Sequence, residues 1–538
     1  MKKKINVIND CMGMYDQDII DAIFESRGIK DVKNFLNPGV EYILPLDSLY
    51  RVDEAGRAIV DGITNGKKFF VNIDSDNDGV FSGSIVVRYL RGMGCNVEWH
   101  VSEGKTHGTS DALIDKLKLN KPDILIIVDS LDSTIDNYKL IHGMGIEVII
   151  LDHHDINDLP YDNYTILVSS NRKYGNKELS GSGVAWKTMK YVDYLLGTMD
   201  ADNLVDFAGG GLVADMVDMS EASMENRAIV NLALNNLCNP AMKKIIGNYE
   251  FNSSSYSFSI APLINASCRY NKNESAVRTF LSDDNKEILK NLRVLKKCKE
   301  QQSADVSELL PELIEQADNQ AKDHKVIIVV IDANPGISGL LGNQLLQRYQ
   351  RPIMVLKENY SGYSGSCRSI GCGNFRQLCE DTGLIETGGH PEAFGVINLD
   401  YNNFDTFRER IEEALSDIEF ETTYDIDVEL DVSDINEQLI NNIKKIDKIS
   451  GTGFKPVSVM VEFDDFEATT MSQGKHLVCN VGNFGKFKAI KWNAGNLLEE
   501  FEDYELCSDM VRVWGNLDCG FLGRSYSLRL IIDDYEVD

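Results

Sequence analysis

A chain of 538 residues, 43% hydrophobic and 9% aromatic, is ordinary for a globular protein and long enough for roughly two to four domains. No run reaches the about 18 apolar residues that a bilayer span needs, which excludes an integral helical membrane protein. The net charge of −30 stands against a nucleic-acid binder unless bound cations offset the carboxylates that would meet phosphate.

The 11 cysteines form no CxxC pair, so free thiols in a reducing cytoplasm are expected, not a disulfide framework or a zinc ribbon. The first residues, MKKKINVINDCMGMYDQD, start basic but carry no apolar core, so they are not read as a secretory signal.

In chain order, KKFFVNI (67–73), NVEWHV (96–101), DILIIVDS (123–130), EVIILD (147–152) and YTILVSS (164–170) read as strands rich in Val and Ile. GSIVVRYLRGMG and SDALIDKLKLN between them show helical spacing. Continuous apolar strands alternating with helices predict a parallel sheet covered on both faces, with ligands beyond the carboxyl ends of its strands. From Glu274 to Lys325 the pattern is helical and charged, a connector. A smaller α/β unit follows, with strands at KVIIVVIDAN (325–334) and RPIMVLKE (351–358), a helix at LLGNQLLQRYQ, and glycine-rich loops at 362–373 and 387–395. The acidic stretch ERIEEALSDIEFETTYDIDVELDVSDINEQL reads as helical. The last section offers about five strands in roughly a hundred residues, which suits a small barrel of the OB type. The domains are therefore set at 1–275, 276–324, 325–420 and 421–538.

Side chains with chemistry gather at the ends of apolar runs. Asp152, His153 and His154 follow VIIL, Asp129 ends DILIIVDS, Asp74, Asp76 and Asp78 follow KKFFVNI, and Asp215 follows GGGLVA. If these runs are neighbouring strands, all four groups converge on one carboxyl edge. So many ionised carboxylates cannot share a small volume unpaired, and two divalent cations resolve the repulsion. Carboxylates with one or two imidazoles suit Mn²⁺ or Mg²⁺ more than zinc. A calcium loop of the EF-hand type is excluded, because the sixth residue after Gly79 is Ile85 where a glutamate is required.

These residues resemble the DHH phosphoesterase superfamily, named for the motif at Asp152-His153-His154, and within it the RecJ branch of single-stranded-DNA exonucleases. DSDNDG (74–79) resembles the family's DYDADG, LSGSGVAWK its LAGVGVA, GLVADMVDM its GTVADVVPL, and IAPLINASCR its IGPRINAAGR. GSCRS (365–369) resembles GSARS, and GGHPEAFG resembles the GGHAMAAG of the associated DHHA1 domain. Matches run over nearly the whole chain in the family's domain order. The resemblance implies Asp74, Asp76, Asp78, Asp129, His153 and Asp215 as metal ligands with Asp129 bridging. It implies Asp152 as the support of the metal-bound imidazole, His154 as facing the scissile phosphate or steadying the site, and His390 near the metals at the reacting phosphorus. Asn265, Arg269, Ser366 and Arg368 would hold the nucleic acid, the last two its 5′ end. The chain departs from the family at HVSEGKTHG, where relatives have an arginine and Lys105 is the available cation, and at Cys268, which replaces a glycine. Dependence on a 5′-phosphate is left open by these departures.

In the last section, GNFGKFKAIKW alternates Lys486 and Lys488 with apolar residues and closes on Trp492. Lysines on one strand face beside an aromatic ring suit single-strand binding. The expected function is metal-dependent 5′→3′ degradation of single-stranded DNA to nucleoside monophosphates, in recombination, repair or replication, with a helicase or a single-strand-binding protein as possible partners. The alternatives are a phosphodiesterase of oligoribonucleotides or cyclic dinucleotides, and a non-catalytic DHH scaffold.

Overall fold

The computed structural model describes residues 3–102, 108–132, 134–155, 160–482, 486–522 and 525–537; Lys105 lies outside them. The strands are β1 (Lys3–Asp10), β2 (Phe69–Ile73), β3 (Val97–Val101), β4 (Ile124–Val128), β5 (Glu147–Asp152) and β6 (Ile166–Ser169). They continue with β7 (Ile327–Val330), β8 (Ile353–Glu358), β9 (Gly362–Arg368), β10 (Ile385–Gly389), β11 (Ala393–Asp400) and β12 (Thr422–Glu429). The last six are β13 (Val459–Phe463), β14 (Phe466–Met471), β15 (His476–Val481), β16 (Phe487–Lys491), β17 (Val511–Leu522) and β18 (Ser525–Val537). The chain divides into a larger unit of residues 5–262, 277–288 and 425–538 and a smaller unit that includes 263–276 and 289–424.

The larger unit holds the expected parallel sheet, in the order β3-β2-β4-β5-β6. Every residue of β2 and β4 is buried. That explains their unbroken apolar runs, because both faces of these strands are covered. The helix Asn77–Gly92 follows β2, and the helix Gly181–Leu196 follows β6. A buried ion pair ties the second of these to its surroundings. Lys187, with a fully buried side chain, donates to Glu225 Oε1 at 2.6 Å and to the Leu44 carbonyl at 2.7 Å. Tyr174, Asn176 and the Leu44 amide donate to the same carboxylate.

The terminal section belongs to the larger unit. Its sheet runs β1-β12-β13-β17-β18-β16-β15-β14 and contains the five expected strands with three more. Two of these correct the sequence reading. Part of the acidic stretch assigned to helix is β12, where Ile426 and Val428 alternate with acids and are buried. Period two, not charge, sets its structure. β1 was unread because KKINVIND carries few apolar residues. Arg27 binds Asp427 through two nitrogens, at 2.8 and 2.7 Å. Arg227, fully buried, donates to the carbonyls of Phe35, Met219 and Ile449. These contacts hold the terminal section to the first.

The smaller unit has a mixed sheet, β10-β11-β9-β8-β7, in which only β7 and β8 are parallel. Its two apolar layers centre on Phe375 and Phe407 on one side and on Leu341 and Leu345 on the other. The connector is largely one 34-residue helix, Asn285–Asp318. No helix of the described residues is long and apolar enough to cross a membrane.

Removing one partner of a buried ion pair leaves the other charge uncompensated, at about 3–5 kcal/mol. Lys187→Met is therefore expected to lower the unfolding free energy obtained from urea titration by that much. Lys187→Met with Glu225→Gln should recover a large part of the loss, and an equal loss in both variants would deny the pair its role.

Candidate metal centre

The register of the parallel sheet brings the acids together. Ile73 pairs with Val128, and Val128 with Leu151, so the next residues, Asp74, Asp129 and Asp152, stand level at the carboxyl edge. The Asp129 amide donates to the Leu151 carbonyl at 2.9 Å, which keeps the ladder intact up to the acid. There Asp129 turns into the left-handed region at φ 54. For a residue with a Cβ this stores roughly 1–2 kcal/mol of strain, a cost typical of functional edges.

The other groups arrive from helix ends. Asp76 caps the helix Asn77–Gly92 by accepting from the Gly79 amide at 3.0 Å, and Asp78 sits in its first turn. Asp215 follows the helix Val205–Ala214, a correction to the expected strand, since a short apolar run without periodicity does not distinguish the two. Three sets of ligand atoms lie within 4.8 Å of one another: Asp74, Asp76 and Asp129; Asp129, His153 and His154; and Asp78, His153 and Asp215. Asp129 and His153 each belong to two sets, which makes places for neighbouring cations. His153 Nε2 stands 3.3 Å from Asp129 Oδ1 and 3.6 Å from Asp215 Oδ2.

Electrostatics show the need for cations. Burial, then Asp78, Asp76, Asp74 and Asp152, push the Asp129 carboxyl well above the carboxylate range. Burial, then Asp78, Asp76 and Asp152, raise Asp215 to about 8, against the pull of His154. Burial also raises Asp78. Asp129 Oδ1 and Asp152 Oδ2 are buried without a hydrogen-bond partner, although such atoms ordinarily find one. Five carboxylates with imidazoles fit divalent cations such as Mn²⁺ or Mg²⁺, and the buried Asp129 Oδ1, with no hydrogen-bond partner, suits a metal ligand.

Asp152 differs from its expected role. Its Oδ1 accepts from the His154 amide at 2.6 Å and faces His154 Nδ1 at 2.8 Å, so the ring it orients is that of His154 and not His153. That contact raises His154 to about 9. Asn171 donates to the His153 carbonyl and fixes the backbone between the two histidines.

The motif LSGSGVAWK has a task that its spacing does not disclose. Ser180 Oγ donates to Asp78 Oδ1 at 3.1 Å, and the Ser182 amide lies 3.2 Å from both its oxygens, so the N-terminus of the helix Gly181–Leu196 holds that carboxylate. A Cβ on Gly181 would lie 2.6 Å from Asp129 Oδ1, and one on Gly211 would collide with Ser182 and Asp78. The glycines leave the acids their space. The signal was readable as small residues beside a serine N-cap.

The remaining expected residues belong to the smaller unit and to the terminal sheet. Asn265 and Arg269 share the helix Ala261–Arg269, and Ser366 and Arg368 lie on β9 of the smaller unit. His390 is exposed there, its amide donating to the Ala393 carbonyl at 3.1 Å. In the terminal sheet, Lys486 is exposed just before β16, Lys488 donates to Asn480 at 2.9 Å, and Trp492 is half exposed and packs edge-on against His476.

Known proteins agree with this architecture. The sequence model of the DHH family, N-terminal domain, matches residues 68–211, and that of the DHHA1 domain matches 323–417. A putative SPbeta prophage-derived single-strand DNA-specific exonuclease of Bacillus subtilis is 28% identical over 454 residues, 76% of this chain and 77% of its own. The single-stranded-DNA-specific exonuclease RecJ of the same bacterium is 29% identical over 432 residues, 76% of this chain and 54% of its own. The crystal structure of Thermus thermophilus RecJ with Mn²⁺ superposes with a TM-score of 0.76 at 22% identity, covering 99% of this chain and 80% of that one.

Since crowded carboxylates oppose the metal-free fold, Asp129→Asn is expected to raise the thermal midpoint of chelator-treated protein by roughly 2–4 °C. Manganese at a hundred times its dissociation constant should add about 2.7 kcal/mol to the parent and nothing to the variant. Scanning calorimetry with and without metal checks both, and a variant that gains as much as the parent would remove Asp129 from the ligand set.

Proposed function

We propose that this chain, which belongs to the RecJ-like branch of the DHH/DHHA1 phosphoesterase superfamily, is a metal-dependent exonuclease that degrades single-stranded DNA from the 5′ end to nucleoside monophosphates. The observation that carries it is the chain of three ligand sets joined through Asp129 and His153, with every acid expected from the family present. That completeness disfavours a non-catalytic scaffold. Two divalent cations, Mn²⁺ or Mg²⁺, would be held by Asp74, Asp76, Asp78, Asp129, His153 and Asp215, and would lower the pKa of a bound water and neutralise charge on the phosphoryl group.

The chain's own residues do the positioning. Ser180 and Ser182 fix Asp78, so that carboxylate presents a set direction. Asp152 fixes the His154 ring, whose Nδ1 lies 4.0 Å from Asp129 Oδ1 and whose side chain is half exposed to an incoming phosphate. Asp129 takes its left-handed turn directly after β4, within reach of the other ligands. Arg368 and Ser366 are the proposed holders of the 5′ end, and His390 is proposed to meet the reacting phosphate. Lys486 and Trp492 offer a cation and an exposed ring to the strand. The proposed setting is cytoplasmic repair or recombination, where a helicase or a single-strand-binding protein would present unpaired DNA.

With Mn²⁺ and strands labelled at one end, the 5′ label is expected to appear at once as mononucleotide, while the 3′-labelled strand shortens progressively. Asp129→Asn should slow hydrolysis by about three orders of magnitude, the worth of several kcal/mol of metal-borne charge stabilisation. Immediate release of the 3′ label reverses the polarity, and cleavage confined to dinucleotides or cyclic dinucleotides replaces the substrate class. Stacking on one base is worth about 1–3 kcal/mol, so Trp492→Ala should weaken long single strands by roughly 5- to 100-fold while sparing strands too short to reach the terminal sheet. Equal effects on both lengths would remove Trp492 from the path.

A further inference from the structure

Three acids stand level at the sheet edge, and they are not held alike. Asp129 and Asp152 each keep one buried oxygen without a hydrogen-bond partner. Asp74 has both oxygens engaged. Ser130 Oγ donates to its Oδ1 at 3.3 Å, and the Asp76 amide donates to its Oδ2 at 3.4 Å. Asp74 and Ser130 are both buried, so bulk water does not compete for these contacts. A Cβ on Gly79 would lie 2.5 Å from the Asp74 Cβ, so the missing side chain lets the helix Asn77–Gly92 start against that acid.

The direction of the Ser130 proton follows from what else touches the hydroxyl. The Gly108 amide donates to Ser130 Oγ at 2.5 Å, and an amide nitrogen can only donate. The oxygen is therefore an acceptor toward Gly108, and its single proton is left for Asp74 Oδ1. Gly108 is placed by other contacts. Its carbonyl accepts from Asn72 Nδ2 at 3.4 Å, its backbone is left-handed at φ 78, and a Cβ there would collide with the Asp132 carboxylate. The next residue, Thr109, donates its amide to Asp132 Oδ1 at 2.7 Å, and Asn137 donates to the Thr109 carbonyl at 3.1 Å. A fixed backbone amide thus orients one hydroxyl, and the hydroxyl orients one metal-binding carboxylate.

We infer that Ser130 is a positioning residue of the metal centre, aiming the Asp74 carboxylate at the cation shared by Asp74, Asp76 and Asp129. The inference rests on the two-cation reading above. It gives the two outer ligand sets a common construction. In the set of Asp78, His153 and Asp215, the Ser180 hydroxyl holds Asp78; in the set of Asp74, Asp76 and Asp129, the Ser130 hydroxyl holds Asp74. A group that hydrogen-bonds a ligating carboxylate fixes the direction in which its remaining lone pairs point, typically worth about 10- to 100-fold in metal affinity.

The test titrates Mn²⁺ into the chelator-treated full chain and follows the free ion by electron paramagnetic resonance. Ser130→Ala is expected to raise the Kd of one ion by about 10- to 100-fold and to leave the other within about twofold. Ser130→Thr keeps the hydroxyl and should lose less than alanine does. Ser130→Cys keeps an acceptor for the Gly108 amide but donates weakly, so it should shift the same ion in the same direction even if alanine does not fold. In an Asp74→Asn background, Ser130→Ala should move neither Kd by more than about twofold, because the carboxylate it acts on is gone. Equal weakening of both ions, no change in either, or a full further loss on top of Asp74→Asn overturns the inference. Assay of the same variants on a labelled single strand separates it from the exonuclease reading. Ser130-dependent binding of one ion by a chain that hydrolyses no strand keeps the inference and removes the nuclease. Hydrolysis by a chain whose two ions bind alike with and without the hydroxyl does the reverse.

Discussion

The larger unit depends on repulsion among acids that the sheet forces together. Neighbouring strands lie about 4.8 Å apart, so level residues at one edge are close whatever their charge. Here three of those residues are aspartates, and two helix ends add Asp76, Asp78 and Asp215. Buried apolar strands hold the sheet in register and so supply the energy that keeps the carboxylates crowded. Crowding is what makes the site select cations, because each ion that enters removes several unfavourable pairs at once.

The close approach needs small residues as much as charged ones. Gly181 and Gly211 let two helices close on Asp129 and Asp78, and Ser180 and Ser182 turn one helix start into the holder of a carboxylate. A helix N-terminus carries about half a positive charge, so it partly offsets Asp78 before any metal arrives. Asp129 has no such help. Its Oδ1 lacks a hydrogen-bond donor, its backbone is strained, and it belongs to two of the three ligand sets. The least satisfied acid is thus the one best placed to bridge.

What was legible in the sequence follows from burial. β2, β4 and β5 could be read because strands covered on both faces are continuous in Val, Ile and Leu, and their terminal acids could be placed because one sheet makes strand ends neighbours. Asp215 was found for the wrong structural reason, since GGGLVA gives a short apolar run whether strand or helix. β12 was lost because its acids masked a period of two, and β1 because its apolar residues are few. The pairing of Asp152 with His154 depends on a bend after β5 that spacing does not disclose.

The acidity that argued against a nucleic-acid partner is resolved by where charge sits, not by its sum. In the larger unit the acids are concentrated at the carboxyl edge, where bound cations reverse their sign toward phosphate. In the smaller unit the cations are permanent, and Arg269 and Arg368 are kept free of acids. A protein that contacts phosphate at a few built places, with an anionic surface elsewhere, gains little from counterion release along a duplex, because that gain scales with the number of phosphates neutralised. The same charge repels polyanions presented without a free end or unpaired bases. Under the proposed function the net charge of −30 would serve selectivity: contacts through metal, terminal phosphate and stacked base would each have to be made in full before binding outweighed the general repulsion.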